Sequence, residues 1–126
     1  MKMEALLEGS PVCPLVRLYD FTATEASALH AQRADLAAGR VDRVEVHGLP
    51  FVEVVGTCRL VLRVGRRDAG AVADASPGGF ACGFTAGTWD NVAGLVEPFL
   101  VDPSGYQWLA DGPGDVALLL SGDGRW

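Results

Sequence analysis

The clearest hydrophobic pattern in the chain is one apolar helical face in its second half. The face consists of Trp89, Val92, Ala93, Val96 and Phe99. These residues recur at three- and four-residue spacings, which is the periodicity of an amphipathic α-helix. Thr85 is a suitable amino-terminal cap. Pro98 has no amide hydrogen, so the helix is expected to end or kink near Glu97.

A second helix is predicted from Thr22 to about Ala38. Thr22 and Glu25 have the spacing of a capping box, and Gly39 stands where helices commonly stop. The apolar stripe of this helix is thin, and Arg33 lies on the same side as its few apolar residues. The helix is therefore expected to lie on a sheet with one face exposed.

The remaining apolar runs are short and predict strands. They cover residues 15–19, 41–47, 51–55, 58–64, 71–74, 80–84, 106–109 and 116–120. The last run does not alternate, which is typical of a central strand covered on both sides. Residues 1–13 show little pattern and are interpreted as a short lead-in to a single domain over residues 14–126.

Short turns separate several of these strands, at residues 48–50, 76–79 and 111–114. Such turns suit hairpins better than crossover connections. The predicted fold class is α+β, with two layers: a mainly antiparallel sheet and two helices packed on one of its faces. In the core, Trp89, Val92, Val96 and Phe99 are expected to pack against Leu60, Leu62, Leu118 and Leu120.

Two strand-to-helix junctions have similar sequences. Asp20-Phe21-Thr22-Ala23 and Gly83-Phe84-Thr85-Ala86 lie 63 residues apart, which is half the chain length. An internal strand–helix–strand duplication would explain the likeness, whereas frequent threonine caps explain it equally. Both interpretations stay open at this point.

Composition indicates a globular protein. Hydrophobic residues make up 49% of the 126 residues and charged residues 21%. No apolar run approaches the roughly 18 residues of a membrane span, and residues 1–15 do not resemble a secretory signal. A cytoplasmic location without membrane association is therefore expected. The three tryptophans all lie in the last 42 residues, at positions that suit a core.

The residues that usually carry chemistry form no known motif. Three widely spaced cysteines without a C-x-x-C pair favour neither a disulfide framework nor a zinc site. The acidic turns lack the alternating oxygen ligands of a calcium loop, and no phosphate-binding or nucleophile motif is present. No metal, cofactor or catalytic residue is predicted, and a non-catalytic protein is favoured over an enzyme.

The charge distribution is uneven. Residues 1–67 carry nine basic and eight acidic side chains, whereas residues 68–126 carry one basic and eight acidic side chains. This acidic second half disfavours nucleic acid as a partner and fits a basic protein partner. The candidate interaction residues are Asp90, Asp102, Asp111, Asp115 and Asp123.

Two functions follow from these patterns. The first is a protein-interaction or accessory role that uses the acidic surface of the second half. The alternative is a small-molecule binding protein or enzyme whose site is assembled only by folding, in the region of His47, Cys58 and Asp20. The sequence does not specify the oligomeric state.

Overall fold

The computed structural model describes residues 1–110 and 114–126, which form nine strands and four short helices. The strands are β1 Lys2–Leu6, β2 Leu15–Tyr19, β3 Arg43–Glu45, β4 Glu53–Val54, β5 Arg59–Val64, β6 Gly70–Ala73, β7 Gly79–Phe84, β8 Tyr106–Ala110 and β9 Ala117–Ser121. The helices are α1 Ala23–Ala37, α2 Ala86–Asn91, α3 Ala93–Val96 and α4 Pro98–Val101, and Val46–Gly48 forms a 3-10 turn.

The strands form two sheets, each built from both halves of the chain. Sheet A has the order β4-β1-β2-β9-β8, and sheet B has the order β3-β5-β7-β6. Four neighbouring pairs are antiparallel: β1–β2, β3–β5, β6–β7 and β8–β9. Three are parallel: β1–β4, β2–β9 and β5–β7. The α+β fold class and the antiparallel majority are confirmed. The division into two sheets goes beyond the sequence pattern, because alternation predicts a strand but not its partner.

The two halves share one order of pairings. In residues 1–64 the antiparallel pair β1–β2 precedes a helix, and the pair β3–β5 follows it. In residues 65–126 the pair β6–β7, a helical segment and the pair β8–β9 repeat that order. The parallel contacts β2–β9 and β5–β7 then join one half to the other. This common order is a property of the topology, and an internal duplication stays a hypothesis.

Strand β1 lies in the segment that the sequence pattern presents as a lead-in. All five of its residues pair with β2, from Lys2 with Tyr19 to Leu6 with Leu15. Only Met3 is fully buried, so the segment lacks the apolar density that marks the other strands. Its strand conformation therefore depends on its partners rather than on its own pattern.

Helix α1 begins and ends at the expected signals. The Glu25 amide donates to the Thr22 hydroxyl, and the Glu25 carboxylate accepts from the Thr22 amide, which completes the capping box. After the helix, Gly39 has a φ of 75° and its amide donates to the Leu36 carbonyl at 3.2 Å. A glycine stands there because this left-handed conformation is costly for residues with a Cβ.

The second helical segment is broken twice. Pro98 begins α4 and cannot donate an amide hydrogen, which explains the break at Glu97. At the earlier break, the buried Arg33 guanidinium donates to the Trp89 carbonyl at 2.9 Å. A continuous helix would satisfy that carbonyl with the amide of residue 93. Arg33 supplies the donor instead and places a positive charge at the carboxyl end of α2, where it is favourable.

The main core lies between the two sheets and the helices. Trp89, Val92, Val96 and Phe99 are buried there in one cluster with Leu60, Leu62, Leu118 and Leu120, which confirms the predicted core. The Trp89 indole donates to the Arg63 carbonyl at 2.9 Å and packs edge-to-face on Phe84 at 5.0 Å. A buried indole needs such a hydrogen-bond acceptor, so Trp89 fixes α2 against sheet B.

Asp68 joins the loop between β5 and β6 to the amino end of α2. One carboxylate oxygen accepts from the Thr85 amide at 2.9 Å, and the other accepts from the Thr88 hydroxyl at 2.7 Å. The hydrogen bond from the Thr85 amide, followed by that from Thr88, lowers the pKa of Asp68 below its usual 3.8.

Replacing Trp89 by alanine is expected to lower the free energy of unfolding by about 3–5 kcal/mol, because it empties a fully buried site. Urea denaturation followed by circular dichroism measures this loss. Trp126→Ala, at a site that is 42% exposed, is the matched control and is expected to cost markedly less. Equal losses from the two substitutions would contradict the burial of Trp89.

Asp68→Asn is expected to remove part of the acid sensitivity of the fold. Because folding lowers the pKa of Asp68, its contribution to stability is present above pH 3.8 and is lost as the pH falls through the lower folded value. The difference in stability between wild type and Asp68→Asn should shrink over that range. Asp90→Asn removes a charge from α2, the helix whose amino end Asp68 contacts, and serves as control in the same pH series of denaturation curves.

Candidate functional site

One face of sheet A points away from the main core. In β2 and β9, Leu18, Leu118 and Leu120 point into the core, so the residues between them point outward. Cross-strand partners lie on the same side of a sheet, which extends this assignment to the neighbouring strands. The outer face of sheet A consists of Glu53, Lys2, Glu4, Leu6, Leu15, Arg17, Tyr19, Ala117, Leu119, Ser121, Tyr106 and Trp108.

Aromatic residues with a polar atom are concentrated at this face. It carries both tyrosines, Tyr19 and Tyr106, and Trp108, and Trp126 packs on Trp108 with ring centroids 6.2 Å apart. Tyr106 is 55% exposed and Trp126 is 42% exposed. The expectation that all three tryptophans belong to the core is therefore wrong for Trp108 and Trp126, neither of which is part of the core cluster. Tyrosine and tryptophan rings that are partly exposed are characteristic of protein-binding surfaces.

The outer face has a small apolar centre of its own. Leu15 and Leu119 are completely buried although they point away from the main core. Two segments of the described chain lie beside this face: the loop between β1 and β2, which shares a hollow with Trp108 and Ala117, and the chain end, where the Ser121 hydroxyl donates to the Arg125 carbonyl. The burial of Leu118, Leu119 and Leu120 confirms that β9 is covered on both sides.

The charges near β1 and β2 are paired. The Arg17 guanidinium lies 2.6 Å from the Glu4 carboxylate and also stacks on the Tyr19 ring at 3.9 Å. The Lys2 amine lies 3.5 Å from the Asp20 carboxylate. These four charges sum to zero, and the Arg17 contacts hold the Tyr19 ring in place.

Three of the predicted acidic residues border the outer face. Asp102 and Asp123 lie in adjoining loops, since the Gly122 amide donates to the Gly105 carbonyl at 3.1 Å. Asp115 lies at the opposite end of β9, which is a strand about 16 Å long. Asp90 lies on the exposed side of α2, outside the face. Asp111 falls outside the described residues.

A hollow of about 460 Å³ opens at the Asp115 end of the face. Its walls come from the loop between β1 and β2, from β8 and from the start of β9. The lining residues are Pro11, Val12, Cys13, Trp108, Gly114, Asp115, Val116 and Ala117. Trp108 and Ala117 belong to the outer face, so the hollow continues that surface.

The three residues of the alternative site have separate surroundings. His47 contacts the backbone of Leu60, whose amide donates to the His47 Nδ1 at 3.2 Å. Burial raises the pKa of the Cys58 thiol to about 11, so it carries little thiolate at neutral pH. Asp20 has a φ of 50° and pairs with Lys2. Among the described side chains, no hydrogen bond joins any two of these three residues.

Residues 1–110 and 114–126 contain no group of three His, Cys, Asp or Glu side chains that could hold a metal ion. Within the same described residues, no helix has the length and apolar character needed to cross a bilayer. Comparisons with protein-family models, with curated proteins and with solved structures find no match to this chain.

The sequence patterns did not single out the aromatic residues of the outer face. One signal was present, because Tyr106 and Trp108 are two residues apart on a predicted strand and so share one side of it. The alternation of Leu15, Arg17 and Tyr19 is the same signal on β2. Their meeting on one surface depends on the pairing of β2 with β9, which no local pattern contains.

Cysteine reactivity provides a test of this arrangement. Burial raises the pKa of the Cys58 thiol to about 11 and that of Cys82 to about 12, whereas Cys13 is half-exposed at the hollow. Iodoacetamide at pH 8 is expected to label Cys13 at least about tenfold faster than the other two in the native protein. Peptide mass spectrometry reads the sites, and labelling in urea is the control in which all three should react. Fast native labelling of Cys58 would contradict its burial.

Proposed function

We propose that this protein binds another protein through the outer face of sheet A, and that the partner presents lysine or arginine side chains. The observation that carries the proposal is the meeting of Tyr106, Trp108 and Trp126 on one partly exposed surface, beside Tyr19, which is buried under the Arg17 guanidinium. Phenylalanine does not take part in this surface. Four of the five phenylalanines are buried in the main core, and the fifth packs against it.

The aromatic types support a binding role for this face. Phenylalanine suits a dry core, whereas tyrosine and tryptophan suit a surface that is exposed in one state and buried in another. Their rings are large and have few rotatable bonds, so they lose little conformational entropy on binding. Leu119 is fully buried on the same face and lies opposite Trp108 in the neighbouring strand.

The size of the face indicates which other residues take part. Four strands about 4.8 Å apart and about 16 Å long give a surface on the order of 300 Å². A stable protein interface buries about 800 Å² on each partner. The contact surface must therefore extend onto the loops at both ends of β9, where Asp102, Asp115 and Asp123 lie.

The charge of those loops favours a basic partner. Among the described residues on the β8–β9 side of the face, the carboxylates of Asp102, Asp115 and Asp123 are opposed by the one guanidinium of Arg125. The Ser104 amide donates to Asp102 and lowers the pKa of that carboxyl, which keeps it ionised. Such a rim repels phosphate backbones and accelerates encounter with a cationic protein surface.

Site-specific photo-cross-linking tests the proposal. A benzoylphenylalanine at position 106 in the native cell is expected to form an adduct with one polypeptide, identified by mass spectrometry. The same group at Val41, which is 38% exposed beside sheet B, is the control. The partner should then bind purified wild type in solution, and Tyr106→Ala or Trp126→Ala should weaken binding by about tenfold or more. Adducts of equal yield at both positions, or unchanged affinity in the variants, would exclude this face.

The role of the acidic rim is tested on the same complex. Asp102→Asn/Asp123→Asn is expected to slow association and to reduce its dependence on salt, because exposed charges act mainly on the encounter rate. Asp42→Asn/Asp90→Asn removes the same charge from places outside the face and is the matched control. Association rates of the two double variants are compared at salt concentrations from about 50 to about 500 mM. An equal effect of both double variants would show that only net charge matters.

A further inference from the structure

The hollow beside Trp108 combines three features in one concave space. Val12, Val116 and Ala117 provide apolar wall, Trp108 provides an aromatic ring, and Asp115 is the one carboxylate among the lining residues that the structure describes. The volume of about 460 Å³ lies within the range of about 300–1,000 Å³ found for ligand-binding pockets. A long side chain therefore fits there together with part of its own backbone.

We infer that this hollow receives an arginine or lysine side chain of the protein partner and serves as the anchor of the interface. The inference rests on the proposed function, because it identifies the chemical group by which the partner is recognised. A long cationic side chain matches the walls, since its methylene stem contacts apolar surface while its charged end needs a carboxylate or an aromatic face.

The charged end has two suitable contacts in the hollow. The Asp115 carboxylate provides a hydrogen-bonding ion pair, which arginine can form with two parallel donors. The Trp108 ring provides a cation–π contact, and tryptophan is the aromatic residue that binds cations most strongly. Arginine is expected to bind better than lysine because its planar guanidinium stacks on a ring and pairs with a carboxylate at the same time.

The walls are held in place by contacts outside the hollow. Trp126 packs edge-to-face on Trp108 and fixes the orientation of its ring. The Val116 amide donates to the Ala71 carbonyl of sheet B at 3.0 Å, and the Ala117 amide donates to the Pro14 carbonyl at 3.1 Å. A pocket whose walls are already positioned loses less entropy when it is filled, which favours its use as an anchor.

A small probe tests the hollow without the partner. N-acetyl-arginine methylamide is titrated into the ¹⁵N-labelled full chain and followed by nuclear magnetic resonance. The expected result is saturable shifts of the Trp108 indole signal and of the Asp115 and Ala117 amide signals. N-acetyl-citrulline methylamide has nearly the same shape without the charge, and it is expected to bind about tenfold more weakly or not at all. Equal shifts from both probes, or no shift of these signals with arginine, would overturn the inference.

Substitutions locate the binding site. Asp115→Asn and Trp108→Leu are each expected to weaken arginine-probe binding by about threefold or more. Asp123→Asn removes an equal charge at the other end of the face and is expected to leave the affinity unchanged. This control separates direct contact between the probe and Asp115 from long-range attraction by the acidic face. The spectra of the variants show whether each variant is folded. Equal weakening by Asp115→Asn and Asp123→Asn would overturn the anchor role.

The two proposals can fail separately. If benzoylphenylalanine at position 106 forms no adduct but the arginine probe still binds, the interface on the outer face is rejected. The hollow then remains a site for cationic side chains. If the adduct at position 106 forms but the arginine probe does not bind, the interface is kept and the anchor role of the hollow is rejected. In the purified complex, Asp115→Asn should weaken partner binding more than Asp123→Asn does.

Discussion

The parallel pairing of β2 with β9 is the contact on which the rest of the structure depends. It joins residues about one hundred positions apart, from Leu15 with Ala117 to Tyr19 with Ser121. One side of this pair contributes Leu18 and Leu120 to the main core. The other side places Arg17 beside Leu119 and forms the middle of the outer face. A shift of one residue in this register would exchange core and surface, since neighbouring residues of a strand face opposite ways.

The helices stabilise this arrangement from the core side. Trp89 fixes α2 on sheet B through its indole hydrogen bond to the Arg63 carbonyl. Arg33 of α1 donates to the Trp89 carbonyl. Trp89 therefore links α1 and α2 to sheet B. Because the helices pack on the core side, the outer face of sheet A is covered only in part, by the loop between β1 and β2 and by the chain end at Arg125 and Trp126. The polar aromatic residues lie there because a half-exposed sheet face requires both apolar area and contact with water.

The proposed function follows from that division of the two sides of sheet A. The proposal rests on the partly exposed tyrosine and tryptophan rings of this face, since such rings are characteristic of protein-binding surfaces. The acidic loops border the same face because β9 carries Asp115 before its first residue and Asp123 after its last. The proposed interaction surface, its acidic rim and the hollow all lie along β9.

The local structure of this protein follows from short stretches of its sequence. The capping box of α1, the stop at Gly39, the apolar face around Trp89 and most strand positions follow from backbone and periodicity rules that act within a few residues. The tertiary structure alone decided the strand partners, the separation into two sheets and the strand conformation of Lys2–Leu6. It also decided that Trp108 and Trp126 lie outside the main core. The physical reason is that alternation gives each strand two sides but does not state which side faces the core or which strand lies beside it. Those choices are made by contacts between residues far apart in the chain, such as Arg17 with Leu119.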